Sequence, residues 1–188
     1  MKRSLLCLLL LSLSMLARAA APLPPDSILQ LPNTFTDQSG RNFQLPARRG
    51  QPQLVAMFYA SCDFVCPLIV DTGLGIDRAL APEQRSRLRV LLVSLDSDRD
   101  NPAALQALMK KRRLDPSRWT LARSDADGVA KFAALLNVRY RKLAGGGFNH
   151  SSALTLLDAE GRVLARSEKL GAQPDPAFLA AVKKALAK

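Results

Sequence analysis

The sequence predicts an α/β fold: a three-layer arrangement in which a central mixed sheet is flanked by helices, with an N-terminal β-hairpin extension. Three observations predict it. Short apolar runs at residues 54–58 and 89–95 read as strands covered on both faces. Stretches with helical spacing follow each of them, and the chain closes on a hairpin signal and one more amphipathic stretch. Alternation of this kind implies parallel strands joined by right-handed crossovers, with the last hairpin adding an antiparallel edge.

The elements follow in chain order. Residues 20–32 hold Pro22, Pro24, Pro25 and Pro32 and read as an extended leader. Residues 35–45 form two short arms around Gln38, Ser39, Gly40 and Arg41, a hairpin signal. The strand over 54–58 runs straight into Cys62. Pro67 suits a first helical turn, where its missing N–H is no loss, so a helix over 67–80 follows. After the strand at 89–95, Asp100 stands ahead of Asn101 and Pro102 as the N-cap of a helix over 103–111. Residues 119–121 make a short strand. A helix over 125–136 gathers Val129, Phe132, Ala133 and Leu136 on one face. Residues 153–157 and 163–166 flank Asp158, Ala159, Glu160 and Gly161 as an antiparallel hairpin. A final helix over 176–186 turns Phe178, Leu179, Val182 and Leu186 inward, with Lys183, Lys184 and Lys188 near its negative end. This is the order of a thioredoxin-like fold with an N-terminal hairpin and a central insertion.

The first residues have the layout of a secretory signal peptide. Lys2 and Arg3 precede an apolar stretch over 5–16, and Ala17, Arg18 and Ala19 form the exit. The stretch is too short to span a bilayer comfortably, so cleavage and release into the periplasm are expected; the alternative is an uncleaved anchor facing the same compartment. The expected division is a signal peptide over 1–19, a leader over 20–32 and one domain over 33–188. Cys7 leaves with the signal peptide. The chain carries 27 basic and 16 acidic side chains; without Lys2, Arg3 and Arg18 the balance is 24 against 16, a net of +8. Such an excess favours contact with acidic surfaces, membrane headgroups included, and equally describes solvated helix faces. Nucleic acid is not an expected partner, because aromatics are few and no basic tract is longer than residues 110–113.

Cys62 and Cys66 are the two cysteines left. A disulfide closing so short a loop restricts the unfolded chain little, so it is a poor staple, and the pair points to chemistry. A helix N-terminus beside them favours the thiolate, which attacks disulfides and binds metal; Asp63 works against it. Three residues between the sulfurs, rather than the two of a C-x-x-C motif, permit a disulfide and also open both to one ion. His150 is the sole histidine and ends the run Gly145, Gly146, Gly147, Phe148, Asn149, His150, read as a glycine-rich loop. In a thioredoxin-like fold this loop packs against the cysteine end of the sheet, where Cys62, Cys66 and His150 can converge. Two thiolates and an imidazole suit copper in either oxidation state, whereas a structural zinc would want a fourth ligand. An inert disulfide and a surface histidine are the plainer alternatives.

With those residues in hand, the chain resembles the Sco/SenC family of copper-binding, thioredoxin-fold proteins that assist cytochrome c oxidase assembly. The resemblance runs from about residue 31 to the C-terminus. It rests on the 35–41 hairpin, Cys62-x-x-x-Cys66-Pro67, the acidic segment 94–100, Asn149-His150-Ser151 and the turn at 158–161. It implies Cys62, Cys66 and His150 as copper ligands, and as partner the copper-receiving subunit of a terminal oxidase or another cuproprotein. Asp96 and Asp100 fall in the family's aspartate-bearing segment, and capping and loop ordering account for them. Asp63 stands where members usually carry proline, and many members are held by a transmembrane helix. A metallochaperone is one expectation. The other is a periplasmic thiol–disulfide oxidoreductase in which Cys62 attacks and Cys66 resolves, exchanging with the cysteines of a cuproprotein to reduce or protect them. A peroxiredoxin-type peroxidase would need Pro at 55 and Thr or Ser at 59, where Val55 and Tyr59 stand.

Overall fold

A computed structural model describes residues 21–62 and 65–187, the side chains of Val65 and Cys66 excepted. The expected signal peptide lies outside the described residues. The N-terminal hairpin forms: β1 (Thr34–Asp37) pairs antiparallel with β2 (Asn42–Gln44). Asp37 holds its turn by accepting from the N–H groups of Ser39 and Arg41, and Gly40 supplies the φ of +82° that the turn needs.

β3 (Gln53–Phe58), β4 (Arg89–Ser94) and β5 (Trp119–Ser124) pair in parallel. β6 (Tyr140–Lys142) and β7 (Phe148–His150) make a separate two-stranded ribbon. β8 (Leu154–Leu157) and β9 (Val163–Ser167) form the expected second hairpin. The main sheet has the order β2-β1-β5-β4-β3-β8-β9, with β1 antiparallel to β5 and β8 antiparallel to β3. It is the mixed, thioredoxin-like sheet that the alternating pattern predicts, with the N-terminal hairpin added along β5.

The helices are α1 (Val65–Ala79), α2 (Pro82–Arg87), α3 (Pro102–Lys111), α4 (Ala126–Leu135) and α5 (Pro176–Leu186). Side chains alternate faces along a strand, so each apolar strand feeds two cores. Leu54, Ala56 and Phe58 pack with Ile69, Ile76, Leu105, Met109 and Val182 from α1, α3 and α5. Val55 and Met57 pack on the other face with Val129, Phe132 and Ala133 of α4, closed over by Phe35 and Leu45. That two-sided burial is why the interiors of β3 and β4, residues 54–58 and 90–93, are apolar. Among the described residues no helix is long and apolar enough to cross a membrane.

Four local features differ from expectation. The leader is not extended throughout: Ser27 caps a 3-10 helix (Ile28–Gln30), and Ile28, Leu29 and Leu31 are buried. This stretch docks on the turn after β8, where Ile28 N–H donates to Gly161 O and Ser27 Oγ to Glu160 O. Asp100 is not the cap of α3. Asn101 takes that place, accepting from Ala104 N–H, while Asp100 is buried and bonded elsewhere. The six-residue α2 was unforeseen because it buries no side chain and so has no periodic signal. The glycine-rich loop is the turn of a ribbon: Gly146 and Gly147 take φ of +82° and +75°, and His150 lies on β7.

α1 is fastened to β5 by one buried cluster. Asp77 receives both terminal nitrogens of Arg118 at 2.9 Å and the Trp119 indole N–H at 3.1 Å. Gly73, one turn earlier, lets the Trp119 ring lie against the helix backbone where a Cβ would collide with it. Because Arg118 would keep only the more exposed Asp115 and the buried Trp119 indole N–H would lose its acceptor, Asp77→Ala is expected to cost about 3 kcal/mol of unfolding free energy, read from the urea midpoint of the purified domain. A loss below about 1 kcal/mol would mean that the cluster is not a fastening.

Candidate functional site

The topology brings two distant segments to one end of the sheet. β3 and β4 run the same way, so the Cys62 loop and the residues after β4 leave at a common pole. β8 runs against β3, so the residues just ahead of it, His150 among them, arrive at that pole too.

Cys62 is half-buried, and its N–H donates to Tyr59 O at 3.3 Å. A cleft of about 200 Å³ opens beside it, lined by Tyr59, Cys62, Pro67, Leu108, Lys111 and Arg112. Cys66 is the second residue of α1. Its backbone therefore sits in a first helical turn, whose unpaired N–H groups favour a nearby thiolate. The Cys66 side chain, with all of Asp63 and Phe64, lies outside the described residues.

His150 pairs with Tyr140 across the ribbon and is half-buried. Its Nδ1 lies 3.1 Å from Ser151 O and 3.2 Å from Ser152 Oγ. A carbonyl can only accept, so Nδ1 carries the proton and Nε2 is the basic nitrogen, the form in which imidazole ligates metal. Burial holds the His150 pKa below its ordinary value, against the opposing hydrogen bond to Ser151. The ring is neutral at neutral pH.

Tyr59 stands between the two segments. Its ring lies edge-on to Phe148 at 5.6 Å and to His150 at 6.0 Å between centroids, and its hydroxyl donates to Phe148 O at 3.4 Å. Gly147 lies against that hydroxyl, where a Cβ would stand 3.3 Å away. Cys62 and His150 thus share a pole but face separate depressions, the second one lined by Arg139, Arg141, Asn149 and His150. Among the described residues no three His, Cys, Asp or Glu side chains gather closely enough to hold a metal ion.

The acidic segment after β4 ties these parts together. Asp100 Oδ2 accepts from Ala60 N–H at 2.8 Å, inside the cysteine loop, and from Ser94 Oγ. Asp96 accepts from Arg99, and its carbonyl from the Asp100 N–H. Asp98 pairs with Lys142 of β6 at 3.0 Å, and the Arg99 guanidinium stands against Gly146. One residue of the segment thus holds the cysteine loop and two others hold the His150 ribbon. Loop ordering is what Asp100 does; the capping expected of it belongs to Asn101. Tyr59, a mismatch to a peroxidase motif, carries a signal of its own in the sequence: an aromatic directly after a buried strand and three residues before Cys62.

The SCO1/SenC family model matches residues 23–187 of the chain. The chain is similar to the SCO1 protein homolog of Bacillus subtilis (strain 168), at 23% identity over 136 residues that cover 71% of this chain and 70% of that protein. Its fold is similar to that of a SCO1/SenC family lipoprotein from Bacillus anthracis str. Ames, with a TM-score of 0.72 at 24% identity, covering 82% of this chain and 92% of that one. It is also similar to Bradyrhizobium japonicum ScoI, solved with copper bound, with a TM-score of 0.68 at 23% identity, covering 81% and 96%.

Burial raises the Asp100 pKa above the ordinary 3.8, against the hydrogen bonds from Ser94 and Ala60. The native state then binds that proton more tightly than the unfolded chain does. The Asp100 contribution to stability is therefore greatest in acid and falls as pH rises above 3.8. Asp100→Asn keeps an acceptor for Ala60 and removes the charge, so its stability relative to wild type should improve from about pH 4 to pH 7. Asp100→Ala should instead cost about 2 kcal/mol by stranding two donors. Urea unfolding across that range checks both; a variant-to-wild-type difference that ignores pH would refute the assignment.

Proposed function

The chain belongs to the SCO1/SenC family, and from that premise we propose that it is an exported copper-binding protein that assists metallation of the copper site of cytochrome c oxidase. The ion is its cargo. The Cys62 and Cys66 thiolates and His150 Nε2 hold it, and the copper-receiving subunit of a terminal oxidase, or another cuproprotein, takes it. Removal of residues 1–19 delivers the protein to the periplasm.

The observation that carries this reading is the state of His150. Its Nδ1 proton is engaged by Ser151 O, which leaves Nε2 as the basic nitrogen of a neutral ring on the pole where the cysteine loop ends. A ligating histidine usually donates its other ring N–H to a carbonyl or carboxylate in this way, which orients the ring for the metal. Soft thiolates with one imidazole form a donor set suited to copper, and the copper-bound ScoI shares this fold. Tyr59 and Asp100 would serve as positioning residues, one between the two segments and the other fixing the backbone two residues before Cys62.

A second reading is favoured by the surroundings of Cys62. Lys111 lines the cleft on which it opens, together with Arg112, which is paired with Asp71, and a cation beside a thiol raises its thiolate fraction. In a thiol–disulfide oxidoreductase the Cys62 thiolate would attack a partner disulfide and release one partner thiolate. Cys66 would then displace the second, leaving a Cys62–Cys66 disulfide here and a dithiol on the partner.

Copper titration of the reduced protein without residues 1–19 separates the two. His150→Ala should lower copper affinity by more than about tenfold, since losing even the group that hydrogen-bonds a ligating histidine costs that much, while the rate of disulfide exchange stays close to wild type. Unchanged copper binding in His150→Ala would remove His150 from the site. No copper uptake by the wild-type protein would leave the redox reading in place.

A further inference from the structure

The strands that end beside Cys62 begin at a very different surface. Gln53 opens β3 and Arg89 opens β4, and both line a cleft of about 290 Å³ at the far pole of the sheet. Five arginines line it, Arg41, Arg48, Arg49, Arg89 and Arg118, and no acidic residue does. Three of them are matched by carboxylates: Arg41 by Asp37, Arg49 by Glu160, and Arg118 by Asp77 and Asp115.

Arg48 and Arg89 are held in place by neutral groups. Arg48 donates to Gln53 Oε1 at 2.7 Å and Thr120 Oγ1 at 3.1 Å, and its guanidinium lies 5.7 Å from the Phe43 ring centre. Arg89 donates to Ser86 O at 2.7 Å. Both are half-buried, and among the described residues neither is paired with a carboxylate. Burial, and then the charge of Arg89, pull the Arg48 pKa down to about 10, so the guanidinium stays charged at neutral pH while its neighbour repels it.

We propose that this cleft is an oxyanion site, in which Arg48 and Arg89 together bind a phosphate group. Arg48 is held by two bonds to neutral acceptors and Arg89 by one, so side-chain freedom is already reduced before binding, and the anion neutralises two charges that line one cleft and repel one another. The phosphate is either free inorganic phosphate or the ester of an anionic lipid headgroup; the recognition chemistry is the same. Six residues of strand separate this pole from the thiol pole, roughly 20 Å at about 3.3 Å per residue, so an occupied cleft leaves Cys62 and His150 open. Anion binding at this cleft does not depend on whether the thiol pole carries copper.

The test is phosphate titration of the protein without residues 1–19, at neutral pH and an ionic strength held constant with sodium chloride, followed by thermal unfolding. Wild type should show a saturable rise in Tm that chloride does not reproduce. Arg89→Gln should weaken the phosphate midpoint at least about tenfold, and Arg89→Lys, which keeps the charge but loses the fork, should weaken it less. Lys183→Gln, an equal loss of charge on α5, should respond like wild type. Sedimentation with phosphatidylglycerol vesicles, against phosphatidylcholine, identifies the source. Binding lost in Arg89→Gln and competed by phosphate assigns a headgroup, and a phosphate response without such binding assigns the free anion. Equal responses of wild type and Arg89→Gln, or no response in either, would overturn the proposal.

Discussion

Where β3 ends, the backbone N–H of Ala60 turns to the carboxylate of Asp100, and the arrangement of the thiol pole depends on that bond. A carboxylate is costly to bury, and here two donors offset the cost: the Ala60 N–H and the Ser94 hydroxyl. Because Asp100 is itself set by the turn over 96–100, the cysteine loop inherits its position from β4 as well as from β3. The same turn reaches the ribbon through Lys142 and Gly146. Cys62 and His150, distant in sequence, are thereby referred to one fixed frame.

Much of this architecture is visible in the chain. β3 and β4 announce themselves because burial on both faces demands an unbroken apolar run, and the two main-sheet hairpins because their turns need glycine beside polar residues. The candidate site was visible in kind: one cysteine just past a strand, another in the first turn of the next helix, and one histidine just ahead of the last hairpin. What could not be read was contact over long sequence distance. Asp100 and Asn101 both look like caps, and only the three-dimensional position of Ala60 decides that Asp100 turns inward and Asn101 takes the helix. β6 and β7 span three residues each, too short for a period to show, so the glycines between them read as a loop.

The two functional readings draw on the same atoms. A thiolate stabilised at Cys62 serves copper and disulfide exchange alike, whereas a neutral imidazole with a basic Nε2 serves the metal in particular. Tyr59 matters to both, because its ring lines the depression of Cys62 and packs edge-on against His150.

The docking of residues 27–31 on the turn after β8 has a mechanical consequence. Ile28 and Ser27 are bonded to Gly161 and Glu160, and a side chain at Gly161 would collide with Leu29, so the two segments interlock closely. The turn over 158–161 follows the end of β8 that pairs with Gln53, the end of the sheet away from Cys62. Tension applied to the chain at its first described residues is therefore carried by this clasp and by the β8–β9 edge. The cysteine loop lies off that line of force, so pulling on the front of the domain can turn the molecule without prying open its reactive end.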